Sequence, residues 1–320
     1  MRRVPAAGAA VVALALAGCA APYDGDGELA LAGGPSVPKS QDATHVVVDT
    51  DLGGDDLAAL AFLVRHPDVV IEAVTIAGAG LVGCDPGVDL VADLYTALGE
   101  PTPPVACPSS GAATATGAEF PEEWRRVAET GTGIPRPAST TLLDPTPAPR
   151  LIGRLAGREQ GLVVVGLGPL TNLAELARSA PEDYERLTRV HVMGGSVDGE
   201  MEGGVAEWNA AADPAAFEAV LDAGVPVTVV PADAVPAGTP ELLSSAPGVA
   251  RVAATIDYPA WWDLATAAAL VTGAAEVSTG RWALDDSVPG RLERLGDGDV
   301  EVVRSLDGDE LEAAYADALG

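Results

Sequence analysis

From position 44 onward the chain alternates short, uninterrupted apolar runs with longer stretches of helical periodicity. His45-Val46-Val47-Val48 reads as a buried strand, followed by a Gly-containing loop and a helix over Asp56 to Arg65. Val69 to Ile76 is the next strand, and beyond Gly78-Ala79-Gly80 a helix runs from about Pro86 to Leu98. Gly161 to Gly166 is almost wholly valine and leucine, as expected of a strand covered on both faces. Leu173 to Ala177 opens a helix, Val190-His191-Val192-Met193 is a strand, Pro214 to Ala223 a helix and Val225 to Val230 a strand. A helix carrying Asp263 extends from Pro259 to about Val271, and the tail offers one strand, Val300 to Arg304, before a closing helix from about Asp309. Continuous apolar strands separated by helices predict an α/β fold, a mostly parallel central sheet with helices on both faces. Pro101 to Arg150, richer in Pro, Gly and Thr, reads as irregular excursions at the sheet's edge. No internal repeat and no long linker interrupts the body, so a single domain is expected over 44–320.

The segment before this body carries a different pattern. Arg2 and Arg3 precede an apolar stretch from Ala6 to Ala17, which is short for a bilayer span. It ends in Leu16-Ala17-Gly18-Cys19, small residues before a cysteine, which resembles a bacterial lipoprotein signal. The expectation is a signal peptide over 1–18, a lipidated Cys19, and a Gly/Pro/Ser-containing acidic tether over 19–43. The chain would then be extracytoplasmic and held at the cell membrane by its lipid anchor only. Of the three cysteines, Cys84 and Cys107 remain for the body; an oxidising compartment allows a bridge between them, but no spacing rule requires one.

Charge narrows the partners. With 47 acidic against 18 basic side chains and a formal net charge of -29, no nucleic-acid partner is expected. A small neutral ligand or a divalent cation remains compatible. Within Asp49-Thr50-Asp51-Leu52-Gly53-Gly54-Asp55-Asp56, four carboxylates crowd directly after a buried strand. Ligands of open α/β sheets bind at the carboxyl ends of strands. Glycines at 53 and 54 let the backbone turn so that several oxygens can converge. An all-oxygen cluster suits calcium or magnesium, although one of these aspartates could simply cap the following helix.

This octapeptide resembles the N-terminal signature of the nucleoside hydrolases, the inosine-uridine-preferring type among them. Further motifs follow in family order: Gly168-Pro169-Leu170-Thr171-Asn172, Met193-Gly194-Gly195, Glu207-Trp208-Asn209 before Asp213-Pro214, and Trp262-Asp263. The resemblance implies hydrolysis of the N-glycosidic bond of a ribonucleoside or related N-riboside with a bound calcium ion. It implies Asp51, Asp56, Asp263 and the backbone carbonyl of Leu167 as calcium ligands, and Asp51 as the general base toward water. Asp55 and Asn209 would bind ribose hydroxyls and Glu207 the 5′ hydroxyl, with Asp49 in a supporting role. A homodimer or homotetramer is the assembly the family implies.

Two departures qualify that assignment. Trp262 stands where family members carry a histidine that protonates the departing base, and an indole N–H cannot act as an acid at neutral pH. Gly80 stands in place of a ribose-binding asparagine, and the expectation is that it opens space. His45, His66 and His191, the only histidines, fall in strand and helix-end positions and read as structural. Trp262 is expected to line the base pocket, Trp261 to pack the core, and Trp208 to do either. A non-catalytic nucleoside- or ribose-binding lipoprotein, or a hydrolase of a different glycosidic substrate, are the competing functions.

Overall fold

The computed structural model describes residues 37–109, 117–130, 143–199, 202–240, 259–273 and 276–319. The expected signal peptide, Cys19 and the greater part of the expected tether lie outside these residues. The described chain runs β1 (Thr44–Thr50), α1 (Gly54–Arg65), β2 (Val69–Ile76), α2 (Cys84–Leu98), β3 (Val105–Ala106), α3 (Glu122–Thr130) and α4 (Ala148–Ala156). It continues through β4 (Val163–Gly166), α5 (Thr171–Ser179), α6 (Pro181–Tyr184), β5 (Arg189–Met193), α7 (Trp208–Ala212), α8 (Pro214–Leu221) and β6 (Val227–Val230). The last elements are α9 (Trp262–Thr272), β7 (Glu276–Leu284), β8 (Leu292–Ser305) and α10 (Gly308–Leu319).

The strands form one sheet in the order β3-β2-β1-β4-β5-β6-β8-β7. Neighbours are parallel except β7, which pairs antiparallel with β8. The pleat of β1 explains why its apolar run is continuous. Val46 and Val48 enter one core with Leu60 of α1, Leu94 of α2 and Leu264 of α9, while Val47 enters the other with Ile152 of α4 and Phe217 of α8. Helices therefore cover both faces of a mostly parallel sheet, as the strand pattern predicts. Among the described residues no helix is long and apolar enough to cross a membrane.

The sequence pattern misses three kinds of element. Strand β7 and the first half of β8 form an edge hairpin whose outer face is exposed, so it lacks the run of buried residues that marks a central strand. Helix α4 begins in the last three residues of the stretch expected to be irregular and runs beyond it; its proline sits in the first turn, where proline starts rather than breaks a helix. Helix α3 and the two-residue β3 lie in the same stretch. Cys84 and Cys107 are joined by a disulfide with a Cα separation of 5.7 Å, which fastens the start of α2 beside the end of β3.

Candidate active site

Strand β1 lies between β2 and β4, where the order of strands along the sheet reverses. At such a switch point the loops leaving adjacent strands diverge and open a crevice at their carboxyl ends. The acidic loop leaves β1 at this point. Asp49, still within the strand, is fully buried and accepts hydrogen bonds from Thr75 (2.6 Å) and Asn172 (2.8 Å) at Oδ1. Burial pushes its pKa up to about 6 against the pull of those two donors. It does not line the cavity, so its place is support for the strand end.

Beyond Thr50 the backbone reverses at Leu52, whose φ of 63° lies in the left-handed region. That conformation costs about 1 kcal/mol or more for a residue with a Cβ. It is held by complete burial of the leucine and by its N–H, which donates to Thr50 Oγ1 at 3.1 Å. The Thr50 hydroxyl in turn donates to Asp56 Oδ1, and Gly53 N–H donates to Asp56 Oδ2 at 2.9 Å. Asp56 thereby ties the loop to the first turn of α1 and aims both its own carboxylate and that of Asp55 into the crevice.

Asp51 is fixed from two sides. Its Oδ2 accepts the Leu81 N–H at 3.0 Å and its carbonyl accepts the Val82 N–H at 3.0 Å. A Cβ built on Gly80 would lie 2.1 Å from the Cβ of Asp51, and one on Gly168 would lie 2.9 Å from it. Gly80 therefore does not open space, contrary to the expectation from sequence; the Asp51 side chain occupies the room that the absent Cβ leaves. The glycines after β2 and β4 close on the aspartate like two flat plates.

Asp263, in the first turn of α9, completes the cluster from a helix packed beside α1 on the same face of the sheet; its N–H lies 3.4 Å from Asp55 Oδ2. Asp51, Asp55, Asp56 and Asp263 are all buried. Burial, followed by the charge of Asp56, holds Asp51 and Asp263 well above the ordinary carboxylate range and raises Asp55 to about 7. Burial raises Asp56 as well, opposed by its hydrogen bonds. One ligand oxygen from each of Asp55, Asp56 and Asp263 falls within 4.8 Å of the others, and Asp263 Oδ1 is buried without a hydrogen-bond partner. Four mutually repelling buried carboxylates with a spare acceptor fit a hard divalent cation. The oxygens that converge most closely are those of Asp55, Asp56 and Asp263, with Asp51 beside them.

Further lining comes from β5, α7 and the residues before α7. Glu207 precedes α7, and its carboxylate accepts N–H groups of Asn209 (2.7 Å), Ala210 (2.8 Å) and Gly195 (2.7 Å). It is both the cap of α7 and a cavity residue, with about one of a carboxylate's four acceptor positions left for a ligand. Burial raises its pKa and the amide donors oppose that rise. Asn209 donates to the Leu167 carbonyl at 3.0 Å and to the Met193 sulfur at 3.3 Å. Leu167 is fully buried and absent from the cavity wall; its carbonyl reaches the site through Asn209.

These groups share one cavity of about 830 Å³. Its other end is aromatic. Trp262 lines it from the start of α9, as expected, and Trp208 from the start of α7, while Trp261 is buried in the core. Phe120 and Trp124 also line it; the Trp208 ring lies 5.6 Å from Phe120 and 5.3 Å, edge-on, from Trp124. These two residues were hidden in the segment expected to be irregular, and the aromatic pair of Phe120-Pro-Glu-Glu-Trp124 was the only available signal. Asp233 is the other unforeseen residue. It accepts from Ser196 Oγ (3.0 Å), Val197 N–H (2.8 Å) and Asp198 N–H (3.0 Å), and so shapes the loop after Gly195.

The histidines take structural places. His191 is buried and donates through Nε2 to the Thr266 carbonyl of α9 at 2.9 Å, and burial lowers its pKa to about 4. His45 pairs with Glu72 at 2.6 Å. His66 caps the end of α1, and neither it nor the other two lines the cavity.

Residues 46–289 match the family model for the inosine-uridine preferring nucleoside hydrolases. The chain is 30% identical over 198 residues to the pyrimidine-specific ribonucleoside hydrolase RihA of Salmonella schwarzengrund, covering 60% of this chain and 61% of that one. It is 31% identical over 192 residues to the RihA of Shewanella baltica, covering 58% of each. The matched region thus spans about three fifths of those relatives' length. Among solved structures, an inosine-uridine preferring nucleoside hydrolase from Bacillus anthracis superposes with a TM-score of 0.74 at 22% identity, covering 86% of this chain and 99% of that one. A purine-preferring ribonucleoside hydrolase from Gardnerella vaginalis gives a TM-score of 0.72 at 20% identity, with 86% and 98% covered. Those two likenesses establish the fold.

Proposed function

The chain belongs to the inosine-uridine preferring nucleoside hydrolase family, and on that premise we propose that it hydrolyses the N-glycosidic bond of a ribonucleoside or related N-riboside with the aid of calcium. The observation that carries this reading is the buried cluster of Asp51, Asp55, Asp56 and Asp263 at the floor of a cavity large enough for a nucleoside. Asp55, Asp56 and Asp263 would hold the ion, with Asp51 adjacent. A cation bound there supplies positive charge that offsets the carboxylates' repulsion and makes water more acidic. The size and adaptable oxygen coordination of calcium suit a site built from carboxylates on two separate elements.

Asp51 acts as the general base. It is held by the Leu81 amide and wedged between Gly80 and Gly168, so its position is set before substrate arrives. Its buried surroundings favour accepting a proton. Asp55 and Asn209 receive the vicinal ribose hydroxyls, and the remaining acceptor position of Glu207 receives the 5′ hydroxyl. As the glycosidic bond lengthens, the ribosyl group gains oxocarbenium character, and the surrounding carboxylates stabilise the developing positive charge. Ribose and base release across a nucleoside panel, with added calcium or with chelator, tests the reading.

One observation favours a second reading, a non-catalytic riboside-binding protein. No His, Lys, Arg, Tyr or Cys side chain is among the described residues lining the cavity, so none of those residue types among them offers a proton to a departing base. Tight ligand binding without release of any base is the outcome it requires. For either activity we infer an exported lipoprotein anchored through Cys19. Support comes from the basic and apolar segments before that cysteine and from the Cys84–Cys107 disulfide, which suits an oxidising compartment. Mass spectrometry of the mature N-terminus tests it; an unlipidated Cys19 would count against the anchor.

A further inference from the structure

We propose that the leaving group this cavity accepts is a flat aromatic cation, so that its substrates are N-ribosylpyridinium compounds or similarly charged N-ribosides; this deepens, and rests on, the N-riboside reading. Two independent features of the same cavity converge on that chemistry. The first is charge. The charged side chains lining it among the described residues are Asp51, Asp55, Asp56, Glu207, Asp233 and Asp263, every one an acid. A divalent ion in the cluster neutralises two charges and leaves the pocket's sign unchanged if the acids are ionised. The whole chain, at a formal -29, adds to the field.

The second is the surface offered to the base. Trp262 and Trp208 enter the cavity from the first turns of α9 and α7, and Phe120 and Trp124 add rings packed against Trp208. The negative faces of aromatic rings attract a cation lying within about 6 Å, and tryptophan does so most strongly. A neutral base gains stacking from such walls. A flat cation gains stacking, the ring attraction and the field of the carboxylates together.

The reaction fits the same groups. Water forms a bond to the anomeric carbon as the carbon–nitrogen bond breaks. The electron pair of that bond passes to the ring nitrogen and converts the pyridinium into a neutral pyridine, while the proton lost from water goes to Asp51. The leaving group takes up no proton. That matters because the two carboxylates outside the cluster are already engaged as acceptors: Glu207 by three amides, and Asp233 by two amides and a hydroxyl. A neutral purine or pyrimidine instead departs more readily when a group protonates it.

The test uses the calcium-loaded full chain with nicotinamide riboside, uridine, inosine and p-nitrophenyl riboside as substrates. Nicotinamide riboside should be cleaved with a kcat/KM at least about 100-fold above uridine and inosine. As competitors against p-nitrophenyl riboside, nicotinamide riboside should bind about tenfold more tightly than its reduced dihydropyridine form, which has nearly the same shape and no charge. Trp262→Leu should shrink that charge preference more than Trp262→Phe does. Equal binding of the charged and uncharged forms, or uridine or inosine cleaved as well as nicotinamide riboside, overturns the proposal while leaving riboside hydrolysis intact. If p-nitrophenyl riboside and every other riboside stay uncleaved, hydrolysis itself fails; calorimetry of the charged and reduced ligands then decides the charge preference separately.

Discussion

The two ends of the cavity are built in opposite ways. The carboxylate end comes from one contiguous loop plus Asp263, and backbone fixes the acids nearest β1: the Leu81 amide and two flanking glycines hold Asp51, and the Gly53 amide, with the Thr50 hydroxyl, holds Asp56. The aromatic end is assembled from α3, α7, α9 and the segment before α3, and three of its rings, Phe120, Trp124 and Trp208, pack on one another. Backbone-held groups keep one geometry, which chemistry at a single anomeric carbon demands. Side-chain-held rings can exchange size and shape without disturbing that geometry. Reaction type and leaving-group preference are therefore separable in this fold, and substitutions at the two ends should have different signatures.

The largest effect should come from the carboxylate end. Asp51→Asn removes the proposed base without changing its size, and kcat should fall by about a thousandfold or more while calorimetric affinity for ribose changes little. Comparable loss of affinity and turnover would make Asp51 a structural residue. Gly80→Ala is next. The new Cβ meets Asp51 at 2.1 Å, so the aspartate must shift, and a displacement of that size at a reacting group costs on the order of a hundredfold in kcat. Unchanged turnover there would show that Asp51 does not need its present position.

At the aromatic end, Trp262→Leu should cost about tenfold in kcat/KM and leave the calcium requirement untouched. A changed calcium affinity would mean that the two ends are not separable. The smallest effect at neutral pH concerns stability. His191 is buried neutral beneath α9, which carries groups of both ends, and burial lowers its folded pKa to about 4 from the ordinary imidazole value of 6.5. A depressed folded pKa gives stability that is complete above pH 6.5 and is lost as pH falls toward 4, by about 3 kcal/mol in all. Thermal melts across that window should show the loss, and His191→Gln, which can still donate to Thr266, should flatten it.

The difference between the two ends also decides what could be read from sequence. Asp51, Asp55 and Asp56 share one short motif on one strand end, so local spacing carried their convergence, and buried strands β1 and β4 declared themselves by unbroken valines. Asp263 became visible only through the order of motifs. Phe120 and Trp124 reach the cavity because α3 folds over it, a tertiary fact with no trace in a Pro- and Gly-rich segment. Glu207 was legible as a site residue, but its triple hold on backbone amides depends on where Gly195 lies after β5. Gly80 was noticed and misjudged: sequence shows a missing side chain, whereas packing shows that Asp51 fills the gap.

The central claim is that the backbone-held carboxylates break an N-ribosidic bond with calcium. Its most direct measurement is free ribose released from nicotinamide riboside, uridine, inosine and p-nitrophenyl riboside by the full chain, with calcium and after chelation, beside Asp51→Asn. Calcium-dependent ribose release that Asp51→Asn abolishes is the result predicted. Ribose release that survives both chelation and the substitution, or none from any riboside by the calcium-loaded wild type, would contradict it.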